Sequence, residues 1–455
     1  MAMDKLISRL PFPLNVYAFL LKRETGSVHY LHYGLFAGED TSVNEAQERS
    51  TELLWTKIGP PRKILEIGIG LGTTLARLAA AGFEVTGITP DQTQIDWVRN
   101  SYHEKLPVQR CAFENFAVDA GMWQGLLFQE SSQYINPVDL FGQASWLLAE
   151  GGDVLILDEF TLKQDRPESD NPHYLPHFIR LAERCGFSLT EQIDLTAQAS
   201  PSLVWLVEAL QLQRDALRSE LDITDTCLDK LEAENRRYQC NYADGHYGYF
   251  FLKLRLTEPK KYRIGRITDA NAAEMRTLFA QVFGQEMNGL WWQWKYGGGR
   301  GDAIGLWQDD ELVAHYGGTV RLLSHNGKVS LASQSCDVMV APQARAKLSR
   351  RGPFFLVCAT YLEQYVGYGN KCLLAYGFPN ERAYRLPFKL GLYSAPVTRV
   401  NELSWLAGLP RRQLRWSVCP FMMDEPDHCA ALDLLWQKMQ QDLKHLVLGV
   451  RNSDF

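Results

Sequence analysis

Lys63-Ile64-Leu65-Glu66-Ile67-Gly68-Ile69-Gly70-Leu71-Gly72 decides the fold. Its first five residues are a short, mostly apolar run with β-branched members, the pattern of a strand buried on both faces. Three glycines at alternate positions follow, then a helix over about 72–81, and Val85-Thr86-Gly87-Ile88-Thr89 supplies a second buried strand. Strand, glycine turn, helix and strand make the opening βαβ unit of a nucleotide-binding sheet. The glycines are expected to let a ribose approach backbone that any Cβ would obstruct. Their spacing is Glu-x-Gly-x-Gly-x-Gly, not the Gly-x-Gly-x-x-Gly that seats a dinucleotide pyrophosphate. Glu66 stands ahead of the turn, where a carboxylate can meet the cationic amino group of an amino-acid-like ligand. Glu66, Gly68, Gly70 and Gly72 together point to S-adenosylmethionine, with a tight loop in another Rossmann-type protein as the alternative.

Outward from that unit, the pattern predicts strands at 108–111, 124–129, 153–158 and 187–194. Helices are predicted near 91–101, 137–148 and 174–185. Alternation of this kind implies a parallel, doubly wound α/β sheet. Residues 1–50 read as helices and loops. From about 203 to 240 leucines recur at helical spacing, which fits a partner surface, a linker or, as we prefer, a helical cover over a substrate cavity. Tyr247–Leu254 then supplies the last strand of the first sheet, so the first domain is expected over 1–256. A polar linker from Thr257 leads to a second, α+β domain over 257–455. Its strands are predicted at 262–266, 303–308, 311–323, 328–340 and 371–376, with an Asn326-Gly327 hairpin turn. Its helices fall near 270–283, 353–366 and 380–390, and 406–455 carries no assignment.

The chain has 455 residues, enough for two or three domains, and the composition of a globular protein. Nine scattered cysteines without a Cys-x-x-Cys pair imply reduced thiols, a cytoplasmic location and no structural metal. No apolar run is long enough to span a bilayer, and no secretory signal is read. Net charge is −6, but residues 1–250 hold 21 Lys and Arg against 35 Asp and Glu, whereas 251–455 hold 26 against 18. The acidic half suits a sulfonium cofactor and the basic half a polyanion such as coenzyme A or nucleic acid. The basic residues are dispersed and no nucleic-acid motif occurs, so small-molecule substrates are expected.

In the first domain, Thr89 and Gln94 are the candidates for the ribose hydroxyls, Phe113 for stacking on adenine and Glu114 for its exocyclic amine. His32-Tyr33-Gly34-Leu35-Phe36, Asn44-Glu45-Ala46-Gln47, the glycine turn and Val85–Thr89 with Gln94 resemble the cyclopropane-fatty-acid-synthase-like branch of class I methyltransferases over roughly residues 30–255. The resemblance implies S-adenosylmethionine at the matching positions. Cyclopropane synthases carry a Glu-His pair where this chain has Gln133-Tyr134, so simple methyl transfer is expected in place of ring formation. Glu130 and Tyr134 are the candidate catalytic residues on the substrate side.

In the second domain, the strand ending Cys336-Asp337-Val338-Met339-Val340 precedes Ser349-Arg350-Arg351-Gly352 at a helix start, a place for a pyrophosphate. With Trp294-Lys295-Tyr296, the Asn380-capped helix and Lys389-Leu390-Gly391, this resembles a GNAT-superfamily N-acetyltransferase over about 262–405. The resemblance implies an acyl-coenzyme A site at Val338, Val340, Arg350, Arg351, Gly352 and Asn380. Many members place a tyrosine four residues before the Leu-Gly glycine to protonate the leaving thiolate. Pro387 stands there, and Tyr384 is the candidate replacement. The whole therefore reads as a bifunctional transferase of a biosynthetic pathway, adding a methyl group from S-adenosylmethionine to a small molecule and an acyl group from acetyl- or acyl-coenzyme A to an amine. The alternatives are a scaffold role for the second domain, lipid modification, and nucleic-acid modification.

Overall fold

The computed structural model describes residues 2–38, 41–60, 62–102, 106–165, 172–257, 262–345, 349–350, 352–395 and 420–453. The chain forms two compact units, Met1–Gly265 with Trp307–Asp310, and Arg266–Leu306 with Glu311–Phe455.

Unit 1 opens with helices α1 (Ala2–Ile7), α2 (Leu14–Thr25) and α3 (Val43–Ile58). The third starts at a capping box in which Ser42 accepts from the Glu45 amide and the Glu45 carboxylate reaches back. The alternating part then runs β1 (Lys63–Ile67), α4 (Thr73–Ala80), β2 (Glu84–Thr89), α5 (Gln92–Tyr102), β3 (Val108–Arg110) and β4 (Trp123–Gln129). It continues through α6 (Pro137–Leu147), β5 (Leu148–Thr161), α7 (Leu175–Arg184) and β6 (Phe187–Asp194). A helical run follows, α8 (Thr196–Ala199), α9 (Pro201–Leu212), α10 (Arg214–Leu221) and α11 (Asp225–Ala243), and β7 (Tyr247–Leu256) closes the unit.

The sheet order is β3-β2-β1-β4-β5-β7-β6. Strands β1 to β5 are mutually parallel, and β7 is antiparallel to both β5 and β6. The last strand in sequence is thus an interior strand, because its two neighbours satisfy both of its edges. Leu65, Leu126, Leu127, Phe128, Val154, Leu155 and Leu252 are fully buried, as strands covered on both faces require. The order reverses between β1 and β4, which places the ligand crevice at their carboxyl ends.

The leucine-rich segment packs against the N-terminal helices and the glycine turn. Leu210, Leu217, Leu228 and Leu231 join one buried cluster with Val16 and Leu20 of α2, Leu71 of the glycine turn and Trp97 of α5. Apolar burial therefore ties these helices to the rim of the crevice.

Unit 2 contains α12 (Ala272–Phe283), α13 (Gly289–Tyr296), α14 (Pro353–Tyr365), α15 (Glu381–Lys389) and α16 (Pro426–Asp442). The second sheet joins β8 (Arg263–Arg266), β9 (Gly301–Gln308), β10 (Glu311–His325), β11 (Lys328–Val340) and β12 (Leu374–Tyr376), in the order β12-β11-β10-β9-β8. A short β13 (Leu448–Gly449) pairs with β10. Helix α13, and α16 with β13 in the unassigned tail, went unread in the sequence. The strand expected at 371–376 spans only three residues.

Candidate functional sites

The carboxyl end of β1 carries the first site. Glu66 is 3 % exposed and its Oε2 has no hydrogen-bond partner. Burial pushes its carboxyl up to about 8. An orphaned buried acid of this kind is costly unless a cation or donor arrives to meet it. The three glycines have positive φ, yet they serve different ends. A Cβ on Gly68 would lie 2.5 Å from Ser131 Cβ, and one on Gly72 2.6 Å from Val98 Cγ2. Those two glycines admit protein neighbours. Gly70 has nothing within 4 Å and faces open space, so it alone offers room for a ribose.

The remaining candidates of unit 1 are placed as follows. Thr89 donates its hydroxyl to Gln94 Oε1 at 2.7 Å, so the two form one buried pair. Phe113 is 2 % exposed and stands edge-on to Phe128, which corrects the expectation of a free stacking face: the ring belongs to the core. Glu114 is exposed beside it. Glu130, at φ 53°, accepts from the Tyr33 amide at 2.7 Å and from the Tyr249 hydroxyl at 2.6 Å. It holds the Tyr33 segment in place. Tyr134 is 77 % exposed at the rim.

Sequence reasoning missed several neighbours because they come from separate strands with no motif. The Ser131 hydroxyl donates to Ile67 O, tying β4 to β1 beside the glycine turn. Asp158 accepts from the Ser132 hydroxyl and the Gln133 amide, and Glu159 accepts from Tyr242. Gln129 accepts from Thr74 and donates to Thr51, and Thr51 contacts His32, whose burial lowers it to about 4.

In unit 2, β11 pairs with β10 along most of its length, with a bulge between His315 and Gly317. Its pairing with β12 covers only Ala332–Gln334. Beyond that point, among the described residues, no strand pairs with Ser335–Val340 on that side, although Val340 O accepts from Arg345 Nε and Asp337 O contacts His315 Nδ1; such a splay can take an extended ligand as an added strand. Val338 and Val340 share one face of this segment and are half-buried, while Met339 points to the core at 1 % exposure. Asp337 adopts φ 50° and is clamped by Lys295 Nζ at 2.7 Å and the Tyr296 hydroxyl at 2.7 Å. The Trp-Lys-Tyr segment thus holds the bulged strand.

Arg350 is exposed, Gly352 caps α14, and Arg351 lies outside the described residues. Asn380 caps α15 by accepting from the Ala383 amide at 2.8 Å. Tyr384 does not reach toward the splay in any recorded bond. Its hydroxyl donates to Ser394 O and its ring stacks on Phe388. Tyr393 contacts the Tyr316 hydroxyl at 3.0 Å, and Tyr316 contacts Ser335 at 2.9 Å, where β11 leaves β12. No sequence signal marked Tyr393, because the link runs through two other strands.

Residues 263–381 match the acetyltransferase (GNAT) domain family. The N-terminal region matches methyltransferases. The chain is 28 % identical over 200 residues to the O-methyltransferase cnsE of Penicillium expansum, covering 38 % of this chain and 70 % of that protein. Among solved structures, the cyclopropane synthase MmaA2 of Mycobacterium tuberculosis is 19 % identical, with 49 % of this chain and 89 % of that one covered and a TM-score of 0.44. The [4+2]-cyclase SpnF is 16 % identical, covers 56 % and 93 %, and gives a TM-score of 0.46. The chain therefore joins an α/β unit similar to methyltransferases to a region that matches the acetyltransferase (GNAT) domain family.

Proposed function

We propose that unit 1 transfers a methyl group from S-adenosylmethionine to a small molecule and that unit 2 transfers an acyl group from an acyl-coenzyme A to an amine. The orphaned Glu66 carboxylate behind the open Gly70 turn carries the first half. Glu66 would take the ligand's amino group and the Gly70 backbone would border its ribose. The sulfonium supplies an electrophilic methyl group when bound, and the protein's part is to position the acceptor and exclude water. Calorimetric titration of the full chain with S-adenosylhomocysteine tests this. Binding is expected, with a loss of about tenfold or more in Glu66→Gln, the size of one charge-assisted hydrogen bond. A wild-type chain that does not bind the compound ends the reading.

For unit 2, the divergence of β11 from β12 beyond Gln334 supports an acyl-coenzyme A whose pantetheine adds to the strand. Tyr393 is then the candidate donor to the departing thiolate. Replacing it with phenylalanine should lower acyl transfer about 100-fold and leave coenzyme A affinity unchanged. A second reading, a substrate-binding domain without acyl transfer, is favoured by one observation: the position expected to hold the acid is a buried proline, Pro387. Absence of acyl-coenzyme A turnover by a chain that binds coenzyme A would select it.

A further inference from the structure

Strands β11 and β12 are parallel, so the crossover helix between them, α14, runs back against both and starts at the carboxyl end of β11. Gly352 caps that start. A coenzyme A with its pyrophosphate there and its pantetheine along Ser335–Val340 brings its thioester to the Ser335 end, where β12 leaves β11. The side chains gathered at this end decide how much room an acyl group finds.

They leave little. Gln334 and Tyr376 are the last paired residues, and one step further a Cβ on Gly377 would stand 3.4 Å from Ser335 Cβ, in ordinary contact. At Ser335 the two strands are therefore still within about a methyl group's width of each other. The Ser335 hydroxyl lies 2.9 Å from the Tyr316 hydroxyl, which lies 3.0 Å from that of Tyr393. Tyr316 is 0 % exposed, and the Tyr361 ring packs against it at 4.9 Å with Tyr365 a further 5.0 Å on. The Tyr361 hydroxyl is itself fixed, 2.7 Å from Ser333 Oγ. Across β10 from Ser335 stands Gly318, where a Cβ would come within 2.2 Å of that hydroxyl. Tyr361 thus fills the space that a side chain at 318 would take. Rings stacked in series and bonded at their tips make a floor without slack, and close-packed interiors yield little to an added methylene.

We infer that Tyr316 sets the acyl length of unit 2: its hydroxyl end, held between Ser335 and Tyr393, admits an acetyl group and turns away longer acyl chains. This rests on the acyl-transfer reading and adds the acyl class together with the residue that selects it. The ring cannot swing aside for a longer chain without breaking both of its hydroxyl contacts and the packing on Tyr361, so the limit belongs to the sheet and helix core rather than to a surface loop.

The test titrates the full chain by calorimetry with coenzyme A and with its acetyl, butyryl and hexanoyl thioesters. Coenzyme A and acetyl-coenzyme A should bind with similar affinity, and hexanoyl-coenzyme A about tenfold or more weakly, the size of an overpacked core. Tyr316→Ala should bring hexanoyl-coenzyme A to within about threefold of the acetyl compound. Tyr316→Leu, a milder change that keeps an apolar side chain in the core, should close part of the gap. The inference is overturned if wild-type chain binds the hexanoyl compound as tightly as the acetyl one, or if a folded Tyr316 variant discriminates as the wild type does. The wild-type series decides even where a variant does not fold. Failure of coenzyme A itself to bind the wild type would instead remove the acyl-coenzyme A reading.

Discussion

Glu66 shows how much one residue can carry. Its carboxyl is raised to about 8 by burial alone, so the ligand-free protein holds it protonated at neutral pH. A ligand bearing an ammonium group binds the ionised form, and its affinity should rise by up to about tenfold per unit between pH 6 and pH 8, then level off. Calorimetry of S-adenosylhomocysteine across that range should show the slope in the wild type and lose it in Glu66→Gln. The same shift has a stability consequence. The folded chain retains protons on Glu66 and Glu159 that the unfolded chain gives up near 4.5, so their contribution is whole below that pH and is lost as pH rises through about 8. Thermal midpoints of the ligand-free protein should therefore fall from pH 5 to pH 8, and the double variant Glu66→Gln, Glu159→Gln should flatten that decline. Glu66 was legible in the sequence because it leads a glycine motif. Glu159 was not, since an acid inside an apolar strand announces no partner until the strands are paired.

At the scale of elements, alternating patterns located nearly every strand of unit 1, because parallel strands buried on both faces leave continuous apolar runs. What patterns could not supply was the divergence of β11 from β12, the feature on which the proposed coenzyme A site rests. Asp337 holds that divergence with a left-handed backbone clamped by Lys295 and Tyr296. Lys295→Met leaves the largely buried Asp337 carboxylate without its cation and should cost on the order of 3 kcal/mol in chemical denaturation of unit 2. Coenzyme A affinity should fall with it. If stability is unchanged, the clamp has no structural weight. On the other unit, Leu228 is 2 % exposed in the cluster that joins the helical cover to Leu71 and Trp97. Leu228→Ala should destabilise by about 2–5 kcal/mol and raise the KM for the methyl acceptor more than it lowers kcat.

For the whole molecule, the reversal of charge along the chain corresponds to two sheets of different topology with different ligand chemistry. Each ligand should stabilise its own unit, by about 2.7 kcal/mol at a hundredfold excess over Kd. Hydrogen exchange on the full chain should then show S-adenosylhomocysteine protecting β1, α4 and β4, and coenzyme A protecting β11 and α14. Protection of β11 by S-adenosylhomocysteine would contradict the assignment. Among the described residues, no helix is long and apolar enough to cross a membrane.

The sequence by itself determined the alternation of strands and helices, the glycine turn with its leading acid, and the existence of two units of opposite charge. All of these are local or compositional, written in the spacing of neighbouring residues. Only the tertiary structure decided that Gly68 and Gly72 accommodate protein while Gly70 stays open, that Phe113 and Tyr384 are engaged elsewhere, and that Glu159 accepts from Tyr242. Those outcomes depend on which elements lie side by side, and the number of atoms that reach a given carboxylate is fixed by packing between segments distant in the chain, as Tyr33 and Tyr249 are from Glu130.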